Sequence, residues 1–263
     1  MRRTMLLCAA LALPACHQAG QTHLARGNVF QNQGKVDEAI AEYRAAAQEN
    51  ATLSAPWLRM GDLYSQKGER QAATAAYRQA VARNPAQIEA WIGIARIESD
   101  TGDDRDARAS LARALAVRPK NLYARLSRAE LALRDGDGKS ALEDAKAAEA
   151  LDDKDPQVLF VYGSAMAATG DEAGARAAFD RIQALDPKSP LPDYGRARLR
   201  LAKGDKAGAL EALGHALALA PEQRAELRKD PALASLRGDP GFERLLLPGS
   251  PAAAAPSSAP SGG

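Results

Sequence analysis

The chain has 263 residues, enough for one or two ordinary domains, and its formal charge of +2 is supplied wholly by Arg2 and Arg3. The neutral remainder gives no electrostatic reason to bind nucleic acid. Aromatics are only 5% of the residues while alanine abounds, which disfavours a β-sandwich and favours closely packed helices; the two cysteines, Cys8 and Cys16, both stand near the start and exclude a disulfide framework further on.

Arg2 and Arg3 precede a short apolar run from Leu6 to Leu13. A positive end followed by an apolar stretch too short to span a bilayer is the physics of a secretory signal. Leu13-Pro14-Ala15-Cys16 then resembles the lipobox of bacterial lipoproteins. That resemblance implies removal of residues 1–15, acylation (palmitate among the chains) on Cys16, and a short linker over 16–19. An ordinary signal peptide with an incidental cysteine is the other reading. Several acyl chains anchor stably where one anchors only marginally. By resemblance to lipoprotein sorting, His17 after the cysteine implies an outer-membrane anchor with the folded part facing the periplasm.

A repeat governs the next two hundred residues. Glycine recurs every 34 positions at Gly34, Gly68, Gly102, Gly136, Gly170 and Gly204. Five residues after each comes Ala39, Ala73, Ala107, Ala141, Ala175 and Ala209, and seven before each a small residue, as at Gly27, Gly61, Ala95 and Ala129. Self-similarity at a fixed period marks a stack of units, none of which can bury its apolar face alone. Each glycine is expected to end a first helix, A, at φ > 0, and the small columns to let A approach a second helix, B. Pro85, Pro119, Pro187 and Pro221 stop helix B before the next unit.

Trp57, Met60, Gly61, Tyr64, Ala73, Tyr77, Ala80 and Pro85 resemble the tetratricopeptide-repeat signature. The resemblance implies an all-α fold: a right-handed α-solenoid of six helix pairs over 20–53, 54–87, 88–121, 122–155, 156–189 and 190–223, with a groove lined by the A helices. Departures from the signature imply ion pairs at the A–B contact, Arg26 with Glu42 and Arg128 with Asp144. Arg196 occupies the same column opposite Ala212 and needs another partner. By resemblance, the groove positions include Asn28, Arg59, Asp62, Arg96, Tyr123, Leu126, Glu130, Phe160, Tyr194 and Arg198. This makes a polar groove in the first three repeats and a more aromatic one in the last three. Tyr123, Phe160 and Tyr194 read as exposed anchors for a partner peptide. Leu24 stands where the carboxylate-binding repeats of chaperone partners carry a lysine, so a chaperone tail is disfavoured.

Residues 224–247 read as a helical cap over the last repeat, with Asp230-Pro231 and Asp239-Pro240 each supplying an N-cap and first helical residue. Residues 248–263 are Pro, Ala, Ser and Gly only, and are expected to stay disordered. Chemistry finds little footing. Gly138-Lys139-Ser140 looks like the end of a phosphate loop, but the first glycine of that motif falls on Leu133. Asp135 and Asp137 lack the closing glutamate of a calcium loop, and His17, His23 and His215 have no metal spacing. The expectation is no catalytic residue, metal, cofactor or small-molecule substrate. The reading is a membrane-anchored scaffold that binds a protein or peptide, similar to lipoproteins that assemble pili or secretins or serve cell-wall enzymes. The alternative is a fixed structural subunit held by its convex face or cap.

Overall fold

A computed structural model describes residues 20–247. The expected leader, Cys16 with its linker and the 248–263 tail lie outside the described residues. Within them there is no strand, and no helix is long and apolar enough to cross a membrane. The helices pair in order: α1 (20–32) with α2 (Val36–Glu49), α3 (Ala55–Gln66) with α4 (Arg70–Arg83), and α5 (Ile88–Thr101) with α6 (Asp104–Val117). Then come α7 (Leu122–Arg134) with α8 (Gly138–Glu149), α9 (Pro156–Ala168) with α10 (Glu172–Leu185), and α11 (Leu191–Ala202) with α12 (Lys206–Leu219). The chain divides into two compact units, residues 1–124 and 125–263.

The turn between each pair follows from one glycine. Gly34, Gly68, Gly102, Gly136, Gly170 and Gly204 all have φ between 71° and 88°, a region an L side chain enters only at a cost. The amide after each donates back across the turn, as Asp137 N does to Ala132 O at 2.8 Å and Asp171 N to Met166 O at 2.9 Å. This closes helix A by satisfying an orphan carbonyl. In the C-terminal unit the next residue also starts helix B. The side chains of Asp137, Asp171 and Asp205 accept from the amides of Ser140, Gly174 and Gly208.

The repeated alanine column is the seam. Ala39, Ala73, Ala107, Ala141, Ala175 and Ala209 have no solvent exposure, so A and B meet backbone to backbone there. Where a ring fills the seam the facing position must lack a side chain. A Cβ on Gly61 or on Gly93 would stand 2.5 Å from the Tyr77 ring.

Charge also enters the seam, most fully in the fourth repeat, where Ala145 stands in the ring column. Asp144, 3% exposed, accepts from Arg128 through both guanidinium arms at 2.5 and 2.8 Å, and from Arg125 at 2.6 Å. Arg26 meets Glu42 at 2.8 Å, and His23 joins the same carboxylate at 2.6 Å. Arg196, lacking an acid in the expected column, is held by Asp180 at 2.8 Å and Asp193 at 2.9 Å.

After α12 the chain makes a one-turn 3₁₀ segment (Pro221–Gln223), α13 (Arg224–Lys229), a second 3₁₀ helix η2 (Pro231–Leu236) and α14 (Pro240–Leu245). Asp230 accepts from Ala232 N to start η2, and Asp239 accepts from Gly241 N and Phe242 N to start α14. The short helix expected after Asp230 is thus a 3₁₀ helix. Leu227, Leu233, Leu236, Phe242 and Leu246 cover the apolar side of Leu213 and Leu217 on α12, which burial of each large side chain favours by about 1.5–3 kcal/mol.

Candidate binding faces

In the N-terminal unit the seam tyrosines send their hydroxyls to the A-helix face. Tyr43 donates to Asn28 at 2.8 Å or to Gln31 at 2.6 Å. One repeat later Tyr77 donates to Asp62 at 2.9 Å. Asn28 and Asp62 are therefore equivalent groups serving equivalent tyrosines. Arg96 holds the same place in the third repeat, where Leu111 offers no hydroxyl, and it reaches back to Ser65 at 2.7 Å.

Burial pushes the Asp62 carboxyl above the usual carboxylate range, against the Tyr77 hydrogen bond and the nearby Arg59 and Arg96 charges that draw it down. Burial, then the Asp62 charge, pushes the Tyr77 hydroxyl well above its ordinary value. Tyr77 therefore stays a donor at any physiological pH. Arg59 is exposed, and Tyr123 stands 52% exposed at the end of this unit. The face is polar, and several of its groups are already paired with one another.

The C-terminal unit differs. A pocket of about 390 Å³ opens on the face of α7, α9 and α11. Glu130, Leu133 and Arg134 of α7 form one side, Phe160, Val161 and Ser164 of α9 the floor, and Arg198 of α11 the far side. The wall beyond α11 is Asp230, Pro231 and Ala232, at the start of η2. Phe160 stacks on Tyr194 with centroids 5.5 Å apart and lies 5.9 Å from Phe179 behind it. The Tyr194 hydroxyl donates to the Asp230 carboxylate, and the Arg198 guanidinium lies over the Tyr194 ring at 5.9 Å. Burial raises the Asp230 carboxyl, while its hydrogen bond from Ala232 and the charge of Arg237 oppose that rise.

The structure brings Glu130, Phe160 and Arg198 together on this pocket, with Tyr194 beside them; Leu126 packs into the α7–α8 seam. Asn28, Arg59, Asp62, Arg96 and Tyr123 belong to the N-terminal unit. The expectation that Phe160 stands free as an anchor is corrected: it is 9% exposed, because Phe179 and Tyr194 from the seam and the neighbouring repeat close around it. Tyr194 is half-buried and its hydroxyl is occupied. Asp230 was legible only as a helix cap; nothing in Asp230-Pro231 says that this turn folds onto the A-helix face.

Gly138-Lys139-Ser140 forms the first turn of α8, where a Cβ on Gly138 would stand 2.9 Å from the Ala168 carbonyl oxygen, so this glycine serves the close approach of α9. Among the described residues no three His, Cys, Asp or Glu side chains converge as metal ligands.

Three family models, each described as a tetratricopeptide repeat, match residues 15–52, 66–131 and 137–190. No curated protein matches the sequence. Among solved structures, the chain is similar to a tetratricopeptide repeat protein from Parabacteroides merdae at TM-score 0.65 and 17% identity, covering 87% of this chain and 98% of that one. It is similar to YrrB, described as a TPR protein with an unusual peptide-binding site, at TM-score 0.59 and 21% identity, covering 71% of this chain and 96% of that one. Pseudomonas aeruginosa pilF matches at TM-score 0.59 and 13% identity over 87% of this chain and 97% of that one. With its glycine-turned helix pairs in 34-residue phase and these matches along most of its repeats, the chain belongs to the tetratricopeptide-repeat family.

Proposed function

We propose that the chain is a non-catalytic scaffold that binds an extended polypeptide on the A-helix face of its C-terminal unit. The observation that carries this reading is the open pocket between α7, α9 and α11, with the apolar Phe160 and Val161 at its floor and polar groups at its rim. That mixture suits a peptide: apolar floor for side chains, a few placed polar groups for register. YrrB, a fold relative described by its peptide-binding site, supports the same use of the fold. Residues 1–16 support a lipid anchor on Cys16 and a place on the periplasmic side of an outer membrane, in the assembly of an envelope complex such as a pilus, secretin or cell-wall machine.

A photocrosslinker placed at the exposed Glu130 or Arg134 is expected to trap a partner in cells. The rival reading, a structural subunit held through its B-helix side, is favoured by a separate observation. In the N-terminal unit, clefts of about 600 and 550 Å³ are lined by Ala72, Ala75, Ala76 and Gln79, and by Ala109 and Arg113, beside Trp57 and Trp91. Crosslinks from Gln48 and Gln79 alone would select that reading and reject the first. Anchoring is tested separately: Cys16→Ala is expected to move the protein from the detergent phase to the aqueous phase, and no change would reject the lipid.

A further inference from the structure

The B-helix side of the N-terminal unit carries an open cleft of about 600 Å³ between α2 and α4, with α3 beneath it. Trp57 and Met60 form its apolar floor, and Ala47, Ala72, Ala75 and Ala76 its walls. Ala75 is exposed and Ala72 half-buried, so the α4 wall presents methyl groups where longer side chains would fill the space. From Ala72 to Gln79 that wall runs about 10 Å, two turns of a helix.

Little on these walls can hydrogen-bond a backbone. Gln79 Oε1 already accepts from Arg83, and the Tyr64 hydroxyl accepts from Arg44. Trp57 Nε1 is buried without an acceptor: Trp91 donates to the Pro85 carbonyl, but the matching carbonyl one repeat earlier, Ala51 O, accepts from Arg83 instead. An extended chain pressed into the cleft would therefore bury amide groups without partners. An α-helix satisfies its own backbone and needs only an apolar stripe, and small walls let its axis come close.

The surrounding charge sets the charge of the occupant. Of the lining residues Arg44 alone is charged, and Arg83 lies over the Trp57 ring at 4.8 Å. α4 carries Arg70, Arg78 and Arg83 and no acid. On α2, Glu42 is turned to Arg26 and His23, Asp37 is turned to Lys67, and Glu38 and Glu49 stand outside the lining. The equivalent cleft between α4 and α6 keeps Trp91 and Ala109 but admits Glu98 and Asp106, so it is mixed where the first is positive only. A second copy presenting its own α4 ridge would set three arginines against three, which disfavours self-association there.

We propose that the cleft between α2 and α4 docks an acidic amphipathic α-helix of a partner protein, with an aliphatic stripe on Trp57 and Met60 and carboxylates beside Arg44 and Arg83. The proposal names an occupant for the B-helix side of the N-terminal unit and does not rest on the A-helix reading.

The test selects displayed peptides on the full chain, on a helix-forming background of about 18 residues, long enough to hold a helix alone. Flanking positions are free to be acidic, neutral or basic. Enriched peptides are expected to carry acids on both edges of an apolar stripe at i, i+3, i+4 and i+7. The chain has two tryptophans, both in the N-terminal unit, so the emission of a Trp91→Phe chain reports on this cleft and should shift on binding. Replacing the peptide's Glu by Lys should weaken binding to wild type at least about fivefold, a comparison that needs no variant of the protein. Arg44→Glu should weaken the acidic peptide and strengthen the basic one. Ala75→Gln, exposed and compatible with a helix, should abolish the shift with circular dichroism unchanged. Equal binding of Glu and Lys peptides, enrichment of extended proline-containing sequences, or no peptide that shifts the Trp57 emission overturns the acidic-helix proposal and leaves the A-helix reading untouched. Absence of crosslinks from Glu130 and Arg134 counts against the A-helix reading alone.

Discussion

Removing Asp144 tests how the fourth repeat holds together without aromatic side chains in its seam. Asp144→Ala takes from two guanidiniums, Arg125 and Arg128, the carboxylate that both of them hold. Breaking a fully buried pair costs about 3–5 kcal/mol, because the surviving charge cannot be solvated. Here the arginine side chains are 22% and 27% exposed, so both can turn outward and recover water. That escape lowers the expected cost to about 2–3 kcal/mol. For a chain of this size each kcal/mol moves the melting midpoint by about 2–4 °C, giving a fall of about 5–10 °C. Far-UV circular dichroism on heating reads it. Because the bridge is largely shielded, the loss should change little between low and high salt. Replacing all three residues, with Asp144→Leu, Arg125→Leu and Arg128→Met, should recover most of the stability, as apolar substitutes for buried ion clusters do. If Asp144→Ala melts within about 1 °C of wild type, the side chains do not depend on the bridge and the argument is refuted.

Gly195→Ala should cost about 1–3 kcal/mol in a denaturant melt, since its Cβ would stand 2.6 Å from the Phe179 ring, and Phe179→Leu in the same chain should relieve most of that cost. Asp62→Asn should stabilise the protein at neutral pH by under about 1 kcal/mol, because it keeps an acceptor for Tyr77 and removes a half-buried charge partly screened by water. The sign follows from a folded pKa raised above the unfolded one: the folded state holds the proton more tightly, so wild-type stability falls as pH rises through that raised value. The advantage of Asn should therefore vanish as melts are moved to acid pH below the unfolded value of 3.8. Tyr194→Phe should cost about 1–2 kcal/mol by leaving Asp230 short of a donor, and hydrogen exchange should quicken first at the amides of η2.

The sequence makes the helix pairs legible because one residue type at one position forces each turn. Only glycine takes φ above 70° without strain, so six glycines at one interval are six hairpins before any coordinate is seen. The same logic runs one step further than expected. Gly238 lies 34 residues after Gly204 and also has positive φ, 81°, followed by the capping Asp239. Residues 224–245 are thus a seventh unit whose first helix is interrupted where Pro231 cannot continue α13, and the interruption is what becomes the cap. Arg128 with Asp144 was legible because both columns face the seam. Arg125 was not, since it reads only as a missing aromatic and its reach to Asp144 depends on the side chain's length. Phe160 shows the other limit: a column assigns a helix face, but its burial comes from Phe179 and Tyr194, whose rings lie 19 and 34 residues away.

The two faces follow from how each repeat uses its hydroxyl. In the N-terminal unit Tyr43 and Tyr77 bring a donor to the A-helix face and the residue nine places into the repeat, Asn28 or Asp62, accepts it. Such a pair is already satisfied, so a partner must compete with it, and the gain from each new hydrogen bond there is small. In the fifth repeat that column holds Phe179, which has no hydroxyl, and the face above it is left to Phe160 and to the next repeat's Tyr194 and Arg198. The Tyr194 hydroxyl turns instead to the cap. Substituting one ring atom set for another in the seam therefore converts a self-paired surface into one with an apolar floor. Binding on the second kind of surface forfeits fewer internal hydrogen bonds, which is why the A-helix face of the C-terminal unit, rather than that of the N-terminal unit, is the better place to look for a bound peptide.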